Sequence, residues 1–176
     1  LSDSLTSIQP YAFNDCRSLQ SIIIPNLVRR IEYRAFQYCS SLTSINFPAN
    51  LDYCGDNLFE GCTKLKSIVW NARDMHLHDY FYSQSEEYIR GNMYWMHPLY
   101  SVRQQIQSFT FGDSARVIPR YLCYEMEKLT SLSFGCEVDS IEKYVFEGCK
   151  RISSVNWNVR SCKDPHIYYE APFYPL

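Results

Sequence analysis

The sequence predicts an α/β repeat protein: a solenoid whose coils each add one strand to a parallel β-sheet, with short helical turns or irregular segments on the opposite side. The main observation is a spacing of 23 residues, which separates Phe13, Phe36 and Phe59. The same spacing separates three cysteines, Cys16, Cys39 and Cys62. Both columns return later in the chain, at Phe146 and Cys149. Two aligned columns at one fixed spacing indicate stacked structural repeats rather than a single irregular core.

One complete repeat shows which positions are constrained. It reads Leu5-x-x-Ile8-x-x-x-Ala12-Phe13-x-x-Cys16-x-x-Leu19-x-Ser21-Ile22-x-Ile24-Pro25. Four further units keep the same chemical type in nearly every column, and a separate strand motif, Ile106-x-Ser108-Phe109-x-Phe111, precedes the last two. Columns of this kind are typical of a shared core to which each coil donates one layer.

The end of each repeat alternates apolar and small polar residues and is stopped by proline in the first two units, which predicts a short strand with one buried face. We therefore expect a parallel sheet of six strands, within residues 19–24, 42–47, 65–70, 106–111, 129–134 and 152–157. The segment Ala12-Phe13-x-x-Cys16 has a three-residue spacing but is too short for a stable helix. A single helical turn is expected there, on the side away from the sheet.

An aromatic insert interrupts the array. The third and fourth strand motifs are 41 residues apart instead of 23, and the additional residues lie within 71–105. The insert opens with a four-residue motif, Trp70-Asn71-Ala72-Arg73. A similar motif occurs later in the chain, as Trp157-Asn158-Val159-Arg160. We expect residues 1–176 to form one solenoid that carries this insert and belongs to a longer protein.

The repeat frame resembles the BspA-like class of leucine-rich repeats, found in surface proteins of bacteria and some protists. The resemblance covers most of residues 5–70 and 106–157, and it departs from the pattern at Cys54, Cys123 and Met126. It implies a leucine-rich-repeat horseshoe or superhelix with the parallel sheet on its concave face. It also implies an extracellular or cell-surface location, with adhesion or binding of host proteins in some members, and it implies no catalytic residues.

Charge and hydropathy exclude two kinds of partner. The net charge is −2 and the basic residues form no cluster, which argues against binding to nucleic acid or to an anionic membrane surface. No apolar run approaches the roughly 20 residues of a membrane-spanning helix. The sequence also shows no leader segment, so we expect any targeting signal to lie outside these residues.

The eight cysteines do not indicate a disulfide scaffold. Six of them occupy core columns, where they act as small buried hydrophobes, and stacked coils hold parallel side chains slightly too far apart for a relaxed disulfide. We therefore expect reduced thiols at these positions. Cys136 and Cys162 lie outside the columns and are the candidates for a bridge or a reactive thiol.

A serine column is the first candidate binding surface. The same strand position holds Ser21, Ser44, Ser67, Ser108, Ser131 and Ser154, and its uncharged neighbours include Asn46. From this face we select Ser44, Asn46 and Ser67 as candidate binding residues. A purely structural alternative stays open, since a repeat can keep a small side chain for geometry alone.

The insert supplies the second candidate surface. Tyrosine and tryptophan offer rigid, flat contact areas with a polar tip and are enriched at binding hot spots. The selected residues are Tyr80, Tyr82, Tyr94, Trp95 and Tyr100. The alternative is that these rings fold inward and form a small core of the insert.

No residue pattern indicates catalysis or a cofactor. The cluster His76-x-His78-Asp79 contains metal-ligand types but has no well-spaced further partner, so no metal site is predicted. No phosphate loop, nucleophile elbow or dinucleotide fingerprint occurs. A catalytic pair of cysteine and histidine, for example Cys162 with His166, is a combination that only the fold can test, because such partners meet only in the folded chain.

The sequence as a whole predicts a non-enzymatic recognition or adhesion module that binds an extracellular protein. Two alternatives stay open. In one, the insert aromatics stack on sugar rings and the chain is a carbohydrate-binding module. In the other, the chain is a structural spacer that has no ligand.

Overall fold

The computed structural model describes residues 1–75, 77 and 85–160. Within them the chain forms a solenoid of parallel strands, which confirms the predicted fold class. The strands are β1 (Ser7–Ile8), β2 (Arg30–Ile31), β3 (Ser44–Phe47), β4 (Tyr53–Cys54), β5 (Ser67–Trp70), β6 (Ser108–Phe111), β7 (Val117–Ile118), β8 (Ser131–Phe134), β9 (Ser140–Ile141) and β10 (Ser154–Trp157). The insert contributes helix α1 (Glu86–Met96) and a 3-10 turn (Tyr100–Val102).

The main sheet has five parallel strands in the spatial order β10-β8-β6-β5-β3. Its register places serine beside serine throughout, for example Ser44 beside Ser67 and Ser67 beside Ser108. Strands β5 and β6 are neighbours although the insert lies between them. The insert therefore leaves the coil and returns to it without breaking the sheet.

The prediction of six strands was wrong for the first repeat. Residues 19–24 contribute only an isolated parallel bridge between Ile23 and Asn46. Ile23 is 86% exposed and shares the outward strand position of Asn46. Regular strand geometry therefore begins at β3.

The predicted helical turn is also absent at Ala12–Cys16, where the chain takes the irregular alternative. Tyr11 and Asp15 both have positive φ, at 58° and 62°. Their backbone N–H groups donate to the carbonyls of Tyr33 and Gln37 in the next coil, at 3.4 and 2.8 Å. These segments therefore form a ladder between coils instead of a helix within one coil. We call residues 9–16, 32–39, 55–62, 119–126 and 142–149 the turn face.

Two small parallel sheets, which the sequence analysis did not predict, form a third side of the coil. One contains β1, β2 and β4, and the other contains β7 and β9. Each of these strands has only two residues, too few for an alternating pattern to be recognised in the sequence.

The core lies between the sheet and the turn face. Phe36 is completely buried and stacks between Phe13 and Phe59, with ring centroids 5.3 and 5.5 Å away. Phe47 of β3 meets Phe59 edge to face at 6.1 Å, which joins the sheet to the turn face across the core. The two surfaces therefore lie on opposite sides of the solenoid.

Candidate functional site

The outward face of the main sheet collects the first set of candidate residues. Ser44, Asn46 and Ser67 lie side by side on β3 and β5, and their side chains point away from buried Ile45 and Ile68. The outward positions of the five strands are all uncharged: Ser44, Asn46, Ser67, Val69, Ser108, Thr110, Ser131, Ser133, Ser154 and Asn156. We call these ten residues the sheet face.

Part of this polarity is used within the sheet. The Ser108 hydroxyl donates to the Ser67 hydroxyl at 2.9 Å. The Asn71 amide donates to the Asn46 side-chain oxygen at 2.5 Å and to the Phe47 carbonyl at 3.0 Å. These bonds fix the surface in one arrangement, while Ser44 and Asn46 stay exposed. The sheet face is therefore preformed and uncharged.

The insert packs on the opposite side, against the turn face. Ser85 caps α1 by accepting a hydrogen bond from the Tyr88 N–H at 3.3 Å. Ile89 and Met93 are buried along the helix, and Leu99 and Val102 are buried after it. The insert thus has an apolar contact with the solenoid core.

Arg90 of α1 reaches across the turn face to the fifth regular repeat. Its guanidinium donates two hydrogen bonds to the Glu147 carboxylate, at 2.5 and 2.8 Å. It also lies 5.3 Å from the centre of the Tyr144 ring and 6.0 Å from that of Tyr121. The hydrogen bonds to Glu147 raise the pKa of Arg90, so the guanidinium is firmly cationic.

His97 makes a second polar contact beneath the insert. It is 3% exposed, its Nε2 lies 3.0 Å from the Tyr121 carbonyl oxygen, and its Nδ1 accepts the Leu99 N–H at 3.1 Å. Burial lowers the pKa of His97 to about 4, and the cationic Arg103 acts in the same direction, against the bond to the Tyr121 carbonyl. The imidazole is therefore neutral and carries its proton on Nε2. Sequence reasoning missed this residue, because only the fold brings Tyr121 to it.

Among the five aromatic candidate residues, only Tyr100 has a side chain that lies within the described part of the structure. Tyr80 and Tyr82 lie outside the described residues, as do His76, His78 and Asp79 of the histidine cluster. Tyr94 and Trp95 belong to α1, but their side chains lie outside the described set. Tyr100 is half-buried in the 3-10 turn, with the Arg103 guanidinium 3.5 Å from its ring centre. Tyr100 is thus already packed against its own chain on one face of the ring.

Exposed tyrosines on the turn face were not among the predicted sites. Tyr11, Tyr33 and Tyr38 are 40%, 44% and 46% exposed. The rings of Tyr11 and Tyr33 meet edge to face at 5.0 Å. Sequence reasoning missed them because Tyr11 and Tyr38 have a left-handed backbone, and this conformation has no simple sequence signature when the residue is not glycine.

The cysteines within the described residues are free thiols, as expected. Cys39 and Cys62 are buried and donate to the carbonyls of Phe13 and Phe36, at 3.1 and 3.0 Å. The thiol column therefore supplies hydrogen bonds between coils in addition to apolar contacts. One expectation was wrong: Cys16 is exposed, because within the described residues a coil packs against the first repeat on one side only. Cys162 and His166 lie outside the described residues.

A shallow groove of about 400 Å³ opens at the corner after the first three sheet segments. Leu27, Arg29, Asp52 and Arg73 are among its lining residues. Arg29 and Asp52 are paired at 2.5 Å.

The described residues contain no group of three or more potential metal ligands. They also contain no helix with the length and apolar character needed to cross a membrane.

Comparison with known proteins identifies the repeat. A model of the BspA type leucine-rich repeat region matches residues 1–90 and 99–168, in six copies. The chain belongs to this BspA-type family. The match spans both sides of the insert, so the residues that carry the sequence resemblance are those that the family model recognises.

The likeness to one solved structure supports the leucine-rich-repeat fold, and two further structures show a weaker likeness. A leucine-rich repeat protein from Eubacterium ventriosum is 15% identical, with a TM-score of 0.58, over 98% of this chain and 44% of that one. A leucine-rich cell surface protein from Faecalibacterium prausnitzii is 16% identical, with a TM-score of 0.41, over 89% and 58%. A leucine-rich repeat protein from Bacteroides ovatus is 19% identical, with a TM-score of 0.33, over 90% and 54%.

This BspA-type chain spans about half the length of the solved proteins that it resembles. No curated protein matches it. The family and the fold are those of repeat proteins with a protein-interaction or structural role, and the likeness to the Eubacterium protein extends to the fold alone.

Proposed function

We propose that this BspA-type chain is a non-enzymatic recognition module that binds an extracellular protein partner, with the sheet face as the broad contact area. The observation that carries the proposal is the sheet face itself. It spans five strands in register, has no charged side chain at its ten outward positions, and lies on the side opposite the docked helix α1. A surface of this kind presents no desolvation cost of buried charge to an incoming partner.

The aromatic insert is a second, separate contact surface in this proposal, because its helix α1 packs on the side of the solenoid opposite the sheet face. Tyrosine and tryptophan dominate the energetics of protein interfaces because they bury large rigid areas. Tyr80, Tyr82, Tyr94 and Trp95 are the proposed anchors, and Tyr100 is a weaker one because Arg103 already covers one face of its ring. An extracellular or cell-surface location is part of the proposal, on the strength of the family.

A binding screen tests the function. The chain is assayed against a panel of extracellular matrix proteins and against a glycan array, together with the double variant S44R/S131R. Both serines are exposed, so arginine at these positions obstructs the sheet face without disturbing the core. The matched control is T63R, an exposed position on the other side of the coil.

The proposal predicts that a matrix protein binds the wild type and T63R but binds S44R/S131R at least tenfold more weakly. Binding that all three share would place the contact away from the sheet face. Binding to glycans only would favour the carbohydrate-binding alternative. Binding to neither class would favour the spacer.

A further inference from the structure

Helix α1 is intrinsically weak, so its docked state depends on tertiary contacts. It has 11 residues, and an isolated helix of that length is marginal in water. Gly91 lies in its interior, although a Cβ atom there would meet no other atom within 4 Å. Glycine therefore lowers the stability of the helix without any packing requirement for it.

Polar contacts help to hold the insert down, and two of them involve α1 and the residue that caps its C-terminus. One is the bidentate pair of Arg90 and Glu147. The other is His97, whose two ring nitrogens bond to the backbone of Tyr121 and Leu99. Polar contacts of this kind respond to protonation, whereas the apolar contacts of Ile89 and Met93 do not.

The geometry of His97 admits only one protonation state. The Nδ1 atom accepts the Leu99 N–H, so a proton on Nδ1 would point at another proton and break that bond. The Nε2 atom must carry the proton that reaches the Tyr121 carbonyl. An imidazolium at this position would lose one hydrogen bond and stay buried without a counter-charge.

The charged groups around His97 do not offset this cost. Arg103, on the 3-10 side of the insert, is cationic and pairs with Glu125 of the turn face at 3.3 Å. Arg120, next to Tyr121, lies with its guanidinium 5.1 Å from the Tyr121 ring centre. Glu147, the other carboxylate in contact with the insert, is engaged by Arg90. Within the described residues, no carboxylate bonds to His97 itself.

We propose that helix α1 is an acid-released cover of the turn face: protonation of His97 detaches α1 from the surface formed by Tyr121, Tyr144 and Glu147. The released surface combines the tyrosine rings with the Glu147 carboxylate, which pairs with Arg90 when α1 is docked. Acid release does not depend on what the sheet face binds, so a failure of the proposed function leaves it intact.

The direction of the pH effect follows from the lowered pKa of His97 in the docked state. A solvent-exposed histidine has a pKa of about 6.5, so the undocked insert takes up a proton more readily. Docking is therefore at full strength above about pH 6.5 and weakens about tenfold for each pH unit below it, until the docked histidine itself titrates near pH 4.

Hydrogen exchange measured by mass spectrometry, corrected for intrinsic rates, tests the release on the full chain. Protection of peptides within 86–97 should fall about tenfold between pH 6 and pH 5. Peptides that contain β3 and β5 should keep their protection over the same range. Flat protection of the insert, or a parallel loss in β3 and β5, would overturn the proposal.

Two variants separate His97 from the other acid-sensitive groups. H97Q keeps one donor and one acceptor, so it should dock at pH 7 and lose the pH dependence. A pH dependence that persists in H97Q would overturn the role of His97. The matched control is E87Q, an exposed position on α1, which should behave as the wild type.

A direct titration covers the case in which H97Q does not dock. The imidazole resonance of His97, assigned by its absence in H97Q, should titrate below pH 5 in the wild type. Titration between pH 6 and pH 7 would show that the ring is accessible in the docked state, and the proposal would fail.

Discussion

At the scale of single residues, the phenylalanine column determines how strongly neighbouring coils are joined. Phe36 is fully buried between two other rings, so removing its side chain leaves a cavity that the stacked coils cannot easily fill. We expect F36A to lower the free energy of unfolding by about 3 to 5 kcal/mol. A denaturant titration monitored by circular dichroism measures this loss.

The matched control is F13A, at the equivalent position of the first repeat. Phe13 is only partly buried and stacks on one ring. Its truncation should therefore cost clearly less than that of Phe36. Equal costs would mean that burial between coils is not what stabilises the column, and a cost below about 1 kcal/mol for F36A would contradict the stacked-coil core.

The thiols provide a second test at this scale. Burial raises the pKa of Cys54 and Cys123, and it raises the pKa of Cys149 to about 12, so these thiols are held in their unreactive protonated form. A thiol reagent at pH 7.5 should label Cys16 first and leave Cys39, Cys54, Cys62 and Cys123 unlabelled until the chain is unfolded. Mass mapping of labelled peptides distinguishes the sites. Rapid labelling of Cys54 in the native state would be inconsistent with the buried column.

At the scale of elements, two glycines of the same chain have opposite effects on stability. Gly91 lies in α1 with open space around it, so G91A should stabilise the insert by about 1 kcal/mol. Gly61 lies on the turn face with φ of +78°, and a Cβ atom there would collide with the Tyr38 ring. G61A should therefore destabilise the chain by about 1 to 2 kcal/mol.

Thermal unfolding followed by circular dichroism compares the two glycine variants under identical conditions. An increase in melting temperature for G61A would contradict the left-handed geometry of the turn face. A decrease for G91A would show that glycine is needed in α1 for packing. G91A should also strengthen docking of the insert without changing its dependence on His97.

At the scale of the whole molecule, two candidate binding surfaces make separable contributions. The sheet face consists of small residues, so truncating any one of them removes little contact area. The insert concentrates large aromatic residues, which act as anchors wherever a partner desolvates them. We expect the double variant Y82A/W95A to weaken binding of a partner by about 2 kcal/mol or more, while S44A and S67A have much smaller effects.

Affinity and melting temperature measured together on these variants decide between binding and packing. Unchanged circular dichroism with weaker binding of Y82A/W95A would support the insert as an anchor. If Y82A/W95A unfolds the chain, or binds normally while S44A loses binding, the insert is structural and the sheet face alone forms the site.

The architecture of one coil could be predicted from the sequence. The 23-residue columns define which residues of a repeat point inward, and they predicted the buried Phe36, the serine register and the reduced thiols, because each coil repeats the same local pattern against an identical neighbour. The family follows from the same columns. The candidate residues Ser44, Asn46 and Ser67 could be placed on one face for this reason, whereas a binding role for Tyr80 or Tyr82 is still a prediction.

Some features could be seen only in the fold, because they involve residues whose surroundings differ from those of the equivalent residues in other repeats. Within the described residues a coil packs against the first repeat on one side only, which leaves Cys16 exposed although Cys39 and Cys62 in its column are buried. Arg90 finds its partner 57 residues away, and His97 finds the Tyr121 carbonyl across the turn face. These contacts have no counterpart in the other repeats, and periodicity carries no information about a contact that occurs once. The docking of α1 and the neutral state of His97 therefore follow from the fold alone.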